Sequence, residues 1–233
     1  MEPFLTWDEE AARRFPDLQL CVGIVRDVRV ERSNPKIEAL RRDVTEEVRS
    51  KFQLEALKDH PTVRAYRDLF WSLGIDPTKT RPSGEALLRR VLHGDQIPKI
   101  STVVNAYNLA SLKTIIPLSG FDLNRISPPT CVRFSKIQEE FHGIGMHEPV
   151  KLTGKMLVLA DTRQVVCVYP YRDADATKIT FETKDVLVAG YGAPGISQSQ
   201  LNEAVETALN CITQTSEGKI ETVRVFSSSK NQY

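Results

Sequence analysis

Apolar residues recur at three- and four-residue steps through the first half of the chain and at alternate positions through the second, with the change near Pro117. LCVGIVRDVRV (20–30) is an exception, an early β-branched alternating run that predicts a strand. After the SNP break at 33–35, Ile37, Leu40, Val44, Val48 and Phe52 form the apolar stripe of an amphipathic helix. Pro61 opens a second helix bearing Val63, Tyr66, Phe70 and Leu73, closed by Gly74. Ser83 is placed to cap a third, EALLRRVLH, which Gly94 ends. A fourth is predicted over 101–113 with Val104, Asn108 and Ser111/Leu112 along one face. Short strands are then predicted at 131–136, 155–161, 165–171, 177–183 and 185–191, spaced as in a meander. A last helix over 199–215 ends at Gly218 before a closing strand at 220–226, leaving SSSKNQY as a frayed tail. No repeat or long linker interrupts this order, so one mixed domain over 1–233, helical first and sheet-rich later, is the economical expectation.

Composition adds little and excludes more. The 233 residues suffice for one substantial core. With 31 Lys plus Arg against 30 acids, net charge points to neither nucleic acid nor membrane. Residues 26–51 hold Arg26, Arg29, Arg32, Lys36, Arg41, Arg42, Arg49 and Lys51, but acids are interleaved, as on a solvated helix face. Cys21, Cys131, Cys167 and Cys211 lack metal-ligand spacing and are expected as free thiols in a reducing cytosol. The N-terminus has no basic stretch followed by an apolar core, and no apolar run approaches membrane-span length, so a cytoplasmic protein is expected.

Catalytic templates are mostly missing: there is no Walker loop, G-x-G-x-x-G, G-x-S-x-G or H-E-x-x-H. HGIGMH (142–147) has two histidines but no further ligand at metal spacing and is expected as a plain loop; His60 and His93 sit at helix ends. Two polar clusters stand out. One runs from Asn105 through Tyr107, Asn108 and Ser119 to Asp122, amides and a carboxylate among apolar positions that are costly to bury unless each is paired. It either knits the fold or lines a pocket. The other, YPYRDADATKIT (169–180), gathers Arg172, Asp173, Asp175, Thr177 and Lys178, and reads equally as a charged hairpin tip or as a site.

These residues resemble the tRNA-binding and editing module, the B3/B4 domain, of the phenylalanyl-tRNA synthetase β subunit, and more closely the freestanding proteins built from that module. Val104-Asn105-Ala106-Tyr107-Asn108 runs into Pro117-Leu118-Ser119-Gly120-Phe121-Asp122 with the family's spacing, and R-P-S-x-E-A-L-L-R-R (81–90) and P-Y-R-D-x-D-x-T-K-I-T (170–180) look like features of the freestanding branch. The similarity covers roughly 60–225, with 1–59 as an N-terminal strand-helix extension. It implies an α+β fold, a single three-layer domain with a β-sandwich-like mixed sheet core and flanking helices. It further implies binding of tRNA or aminoacyl-tRNA, with hydrolysis of a mischarged ester in trans.

By position, Asn108 matches the family's pocket asparagine, Asp122 its aspartate, Thr183 its threonine, and Asp175 falls where the editing glutamate sits. The resemblance makes Asp175, Asp173 and Ser119 the catalytic candidates, with Asn105, Tyr107, Asn108, Asp122, Arg172, Thr177, Lys178 and Thr183 as substrate-binding candidates. Two departures matter. Tyr107 stands where the family has threonine, and Ser119 stands where it has histidine, a proton carrier near neutral pH. The competing expectation is therefore a non-catalytic module that binds a free amino acid, a small metabolite or a partner through the remodelled pocket. Neither version calls for a cofactor or metal, and the ATP site needed for ligase activity is missing.

Overall fold

The computed structural model describes residues 4–230. In chain order the elements are β1 (Leu5–Trp7), α1 (Glu9–Arg14), β2 (Gln19–Arg26), α2 (Pro35–Lys51), α3 (Pro61–Ser72), α4 (Ser83–Leu92), α5 (Thr102–Thr114), β3 (Leu118–Asp122), β4 (Thr130–Phe134), β5 (Ile137–Phe141), β6 (Val150–Thr153), β7 (Leu157–Ala160), β8 (Val165–Val168), β9 (Arg172–Asp173), β10 (Val186–Tyr191), α6 (Gln198–Ser216) and β11 (Lys219–Ser227).

Local chemistry explains most helix starts. Asn34 accepts from the Ile37 amide at 3.0 Å, with Pro35 opening α2. Ser101 takes the Val104 amide, and Ser197 with Gln200 forms a capping box. The expected Ser83 cap is corrected. Pro82 occupies the cap position and Ser83 is the first helical residue, with no side-chain cap bond.

The strands divide into two main sheets. An antiparallel sheet is ordered β11-β2-β10-β3, and a second, mixed sheet β1-β4-β7-β8-β9. The hairpin β5-β6 stands apart. The helices α5 and α6 cover one face of the first sheet and the second sheet lies against its other face, giving three layers around a main apolar core, with a smaller apolar cluster where the β5-β6 hairpin meets β7 and β8. Trp7, Tyr169 and Tyr191 meet edge-to-face between the sheets. The Tyr169 hydroxyl donates to the Gly192 carbonyl at 2.9 Å, and the Tyr66 hydroxyl donates to the Tyr191 carbonyl.

Close approach to the helices requires missing side chains at particular places. A Cβ on Gly23 would lie 2.7 Å from Leu209 Cδ1 and from Val205 Cγ1 of α6. Gly84 in α4 abuts Ile115, which ends α5 in the left-handed region at φ 62. A Cβ there would lie 2.4 Å from the Ile115 carbonyl oxygen, and backbone cannot swing aside. Alanine normally stabilises a helix over glycine by about 1 kcal/mol. Gly84→Ala is expected instead to cost about 2 kcal/mol, read as a lower urea midpoint at unchanged slope.

Four further expectations change. Segment 177–183 is no strand: Asp175–Thr177 is a 3-10 turn, and only Lys178 bridges, to Phe121. Thr183 Oγ1 accepts from the Thr180 amide, closing a turn where alternation suggested extension. The helix over 102–114 is buried around almost its whole circumference, and Asn108 is among its least buried members. The tail is ordered at Ser228, whose hydroxyl donates to the Phe15 carbonyl at 2.7 Å. The meander is partial, because β10 leaves β7, β8 and β9 for the other sheet. Among the described residues, no helix is long and apolar enough to cross a membrane.

Candidate functional site

Strand register brings the two polar clusters together. On β8 and β9, Cys167 is paired with Asp173, so both side chains share one face. On the other sheet Ser119 of β3 is paired with Ala189 of β10, two residues before Tyr191. The Ser119 and Asp173 side chains meet between the sheets, where the Ser119 hydroxyl donates to Asp173 Oδ1 at 2.8 Å. The Tyr191 hydroxyl donates to Cys167 Sγ at 3.2 Å and also interacts with Ser119.

Ser119 is 7% exposed and Asp173 is half-buried as a residue, its carboxyl directed inward. Burial pushes that carboxyl up to about 6, against the lowering effect of the Ser119 hydroxyl. Burial raises the Cys167 thiol and the Tyr191 and Tyr107 phenols, and the Asp173 charge adds to each. These three groups stay neutral donors while Asp173 changes protonation close to neutrality.

Tyr107 lies over β3. A Cβ on Gly120 would be 2.5 Å from its Cε1 atom, so the glycine is what lets the ring seat against the strand. β3 is the edge of its sheet. Tyr107 thus reaches toward the pair from the helical layer and fills space that a smaller residue would leave.

The other candidates are placed elsewhere. Asp122 Oδ2 accepts from Thr183 Oγ1 at 2.8 Å, and its Oδ1 takes the Asn124 amide at 3.1 Å, so these two hold the end of β3 to the 180–185 turn. Asn105 Oδ1 accepts from the Ile100 amide at 3.1 Å, while its buried Nδ2 has no hydrogen-bond partner. Asp175 pairs with Lys178 at 2.7 Å near the surface. Arg172 donates to the Ile144 carbonyl and lies over the Tyr171 ring. The Thr177 hydroxyl is buried without a partner. Asn108 makes no side-chain hydrogen bond among the described residues.

Cys167 and Tyr191 were not singled out by the sequence. Their only signal was a thiol and a phenol inside otherwise apolar strands. Glu85 was also missed. It is 1% exposed and accepts from Arg67 and Arg89 at 2.5–2.8 Å. Burial would raise its carboxyl, but the two guanidinium bonds outweigh that and hold it below the ordinary range. The 142–147 loop is held by its own contacts, with His142 Nε2 2.9 Å from the Met146 carbonyl. All four cysteines are free, Cys131 half-buried and the others buried. Among the described residues, no group of three or more His, Cys, Asp or Glu side chains is placed to hold a metal ion.

Comparison with known proteins bears on the same segment. Over 99 residues, 42% of this chain, the sequence is 31% identical to the phenylalanine–tRNA ligase β subunit of Haemophilus ducreyi, a match that spans 12% of that relative's length. An N-terminal fragment of the phenylalanyl-tRNA synthetase β-subunit from Pyrococcus horikoshii aligns with 93% of this chain and 49% of its own, at a TM-score of 0.49 and 15% identity. The model of the B3/4 domain matches residues 65–216, which include α5, β3 and the whole Ser119–Asp173 pair. The chain belongs to the B3/4 domain family.

Proposed function

We propose that this protein engages aminoacylated tRNA and hydrolyses a mischarged aminoacyl ester in trans, with Asp173 as the proton acceptor and Ser119 as its positioning partner. The observation that carries this reading is the 2.8 Å Ser119–Asp173 hydrogen bond around a carboxyl titrating near 6. A base of that strength is matched to chemistry near neutral pH. The relative's name supplies the substrate class, an amino acid esterified to tRNA.

Asp173 takes the role in preference to Asp175, because Asp175 is already paired with Lys178 and its carboxyl is open to solvent. Attack is by water. A carboxylate of this basicity is too weak to ionise a serine hydroxyl, but it can orient a water and draw off its proton as the ester is attacked. Neutral Tyr107 offers a hydroxyl donor to the same region, while the Tyr191 hydroxyl is committed to Cys167. Asn108, half-buried beside Tyr107, is a candidate contact for the aminoacyl group.

Incubation with a panel of mischarged tRNAs tests the reading. Ester release faster than in buffer is expected for at least one, and Ser119→Ala is expected to slow it roughly tenfold. Absence of release across the panel would end the hydrolytic reading.

One observation favours the second reading, a module that binds a free amino acid or small metabolite. Of Arg41, Arg42, Arg89, Arg90 and Lys113, three are engaged by Glu38, Glu85 and Glu47 and only Arg42 and Arg90 make no ion pair among the described residues, so the five do not add up to one open basic face. On that reading the panel stays intact, and a free amino acid raises the melting temperature instead.

A further inference from the structure

Four cations converge on a concave surface outside the Ser119–Asp173 site. On α2, Arg42 and Arg49 lie about two helical turns apart and so share one side, with Arg41 adjacent to Arg42 at the same level of the helix. The segment 94–99 that follows α4 faces them. A cavity of about 290 Å³ lies between, lined by these three arginines and Lys99 together with Glu46 and Asp95. That volume is at the small end for ligand pockets.

Half of the cations in 26–51 already have an acid, Arg41 through Glu38 among them. Arg26 pairs with Glu221, Arg29 with Glu31, and Lys51 and Lys113 with Glu47. Arg42 and Arg49 make no ion pair among the described residues, and Arg49 Nε reaches only the Val91 carbonyl, at 3.3 Å. Lys99 is held 2.9 Å from Glu38. Arg41 is the informative member. Its Nη1 donates to the Ile97 carbonyl at 2.9 Å, yet Nε and Nη2 are buried with no hydrogen-bond acceptor among the described residues. Glu38 Oε1 is 3.7 Å from Nη2, an ion pair without a hydrogen bond. Nε and Nη2 form the side edge of the guanidinium, the edge that takes two anionic oxygens in parallel.

A second cavity, of about 500 Å³, shares Arg49 with the first and is lined by Phe52, Gln53 and His60. The Phe52 and His60 rings meet edge-to-face at 5.7 Å, and His60 Nδ1 is buried without a hydrogen-bond partner among the described residues. An aromatic surface and an amide beside an anion site match a base joined to a phosphate. Arg41, Arg42 and Arg49 all precede the residues matched by the family.

We propose that these two neighbouring cavities, which meet at Arg49, bind a nucleoside phosphate, its phosphate held by Arg41, Arg42, Arg49 and Lys99 and its base set against Phe52 and His60. The proposal stands apart from the hydrolytic reading and involves none of its residues.

The test titrates the full chain at low salt with AMP and, separately, with a fluorescent uncharged tRNA transcript. Wild type is compared with Arg42→Gln and with the Arg42→Gln, Arg49→Gln double variant. Arg42 is exposed, so its variant folds, which circular dichroism verifies. Saturable binding of at least one probe is expected, weakened about tenfold by Arg42→Gln and further by the double change. Binding of AMP assigns a free nucleotide. Binding of the transcript alone assigns an RNA strand, and its salt slope then falls by about one for each arginine removed. The proposal is overturned if neither probe binds the wild type, or if both variants bind as the wild type does. Ester release and the effect of Ser119→Ala are scored separately, so either idea can fail while the other survives.

Discussion

Asp173→Asn is expected to raise the stability of this protein above about pH 6 while removing the proposed ester hydrolysis. An aspartate ordinarily titrates at 3.8, and burial pushes Asp173 up to about 6. Between those two values the folded protein binds a proton that the unfolded chain has released, so stability falls as pH rises through that window. Above 6 the folded state carries the full cost of an ionised carboxyl between two sheets. Asparagine carries none, and its carbonyl oxygen can still accept from Ser119. The gain is expected to be about 2 kcal/mol at pH 8, discounted for the half-buried position of the residue, and to vanish by about pH 4. In thermal unfolding this is a rise of about 6 °C at pH 8. Hydrolysis should fall at least about a hundredfold, since the acceptor of the water proton is gone. A variant that unfolds earlier than wild type at pH 8 would show that the carboxylate is held by attractive contacts, and would sink the poised-base account.

Glu85→Ala is expected to give the largest loss of stability, about 3 kcal/mol at neutral pH. The carboxylate is almost fully buried, while Arg67 and Arg89 keep 26% and 21% of their side chains exposed. Removing the acid leaves two cations facing an empty polar slot where α3 and α4 meet. Both arginines can turn partly to solvent, which keeps the loss at the lower end for a broken buried pair. The sign with pH is opposite to that of Asp173. Glu85 is held below its ordinary value, so its contribution is present above the unfolded value and is lost as pH falls through the folded one. Denaturant melts at pH 7 and pH 3 measure it, and a wild-type–mutant gap that widens in acid would refute the assignment.

The helices were legible because 3.6-residue periodicity and strong punctuation agreed: Asn34 with Pro35, Pro61, and Gly94 all act within a few residues of themselves. The edge strand β3 was hidden inside a motif, since five residues ending in Gly-Phe-Asp carry little alternation. Segment 177–183 alternated convincingly yet forms turns, because Thr183 and Asp122 satisfy the backbone and each other. Motif likeness singled out Ser119 and Asp173 in the sequence. It did not separate Asp173 from Asp175, of which the structure sets the first against Ser119 and the second against Lys178. Cys167 and Tyr191 join the site through register between distant strands, which local patterning does not encode.

The position of β2 bears on how the chain assembles. Its two neighbours are β10 and β11, so Val25 meets Val186 on one side and Ile220 on the other. The central sheet therefore waits for β11, which follows the family-matched residues, to be synthesised, while the helices between can form early. Such long-range closure predicts slow folding that completes only after residues up to Ser227 have emerged from the ribosome. Until then the β2 backbone remains an open edge for other chains, which makes the nascent protein a natural client for chaperones.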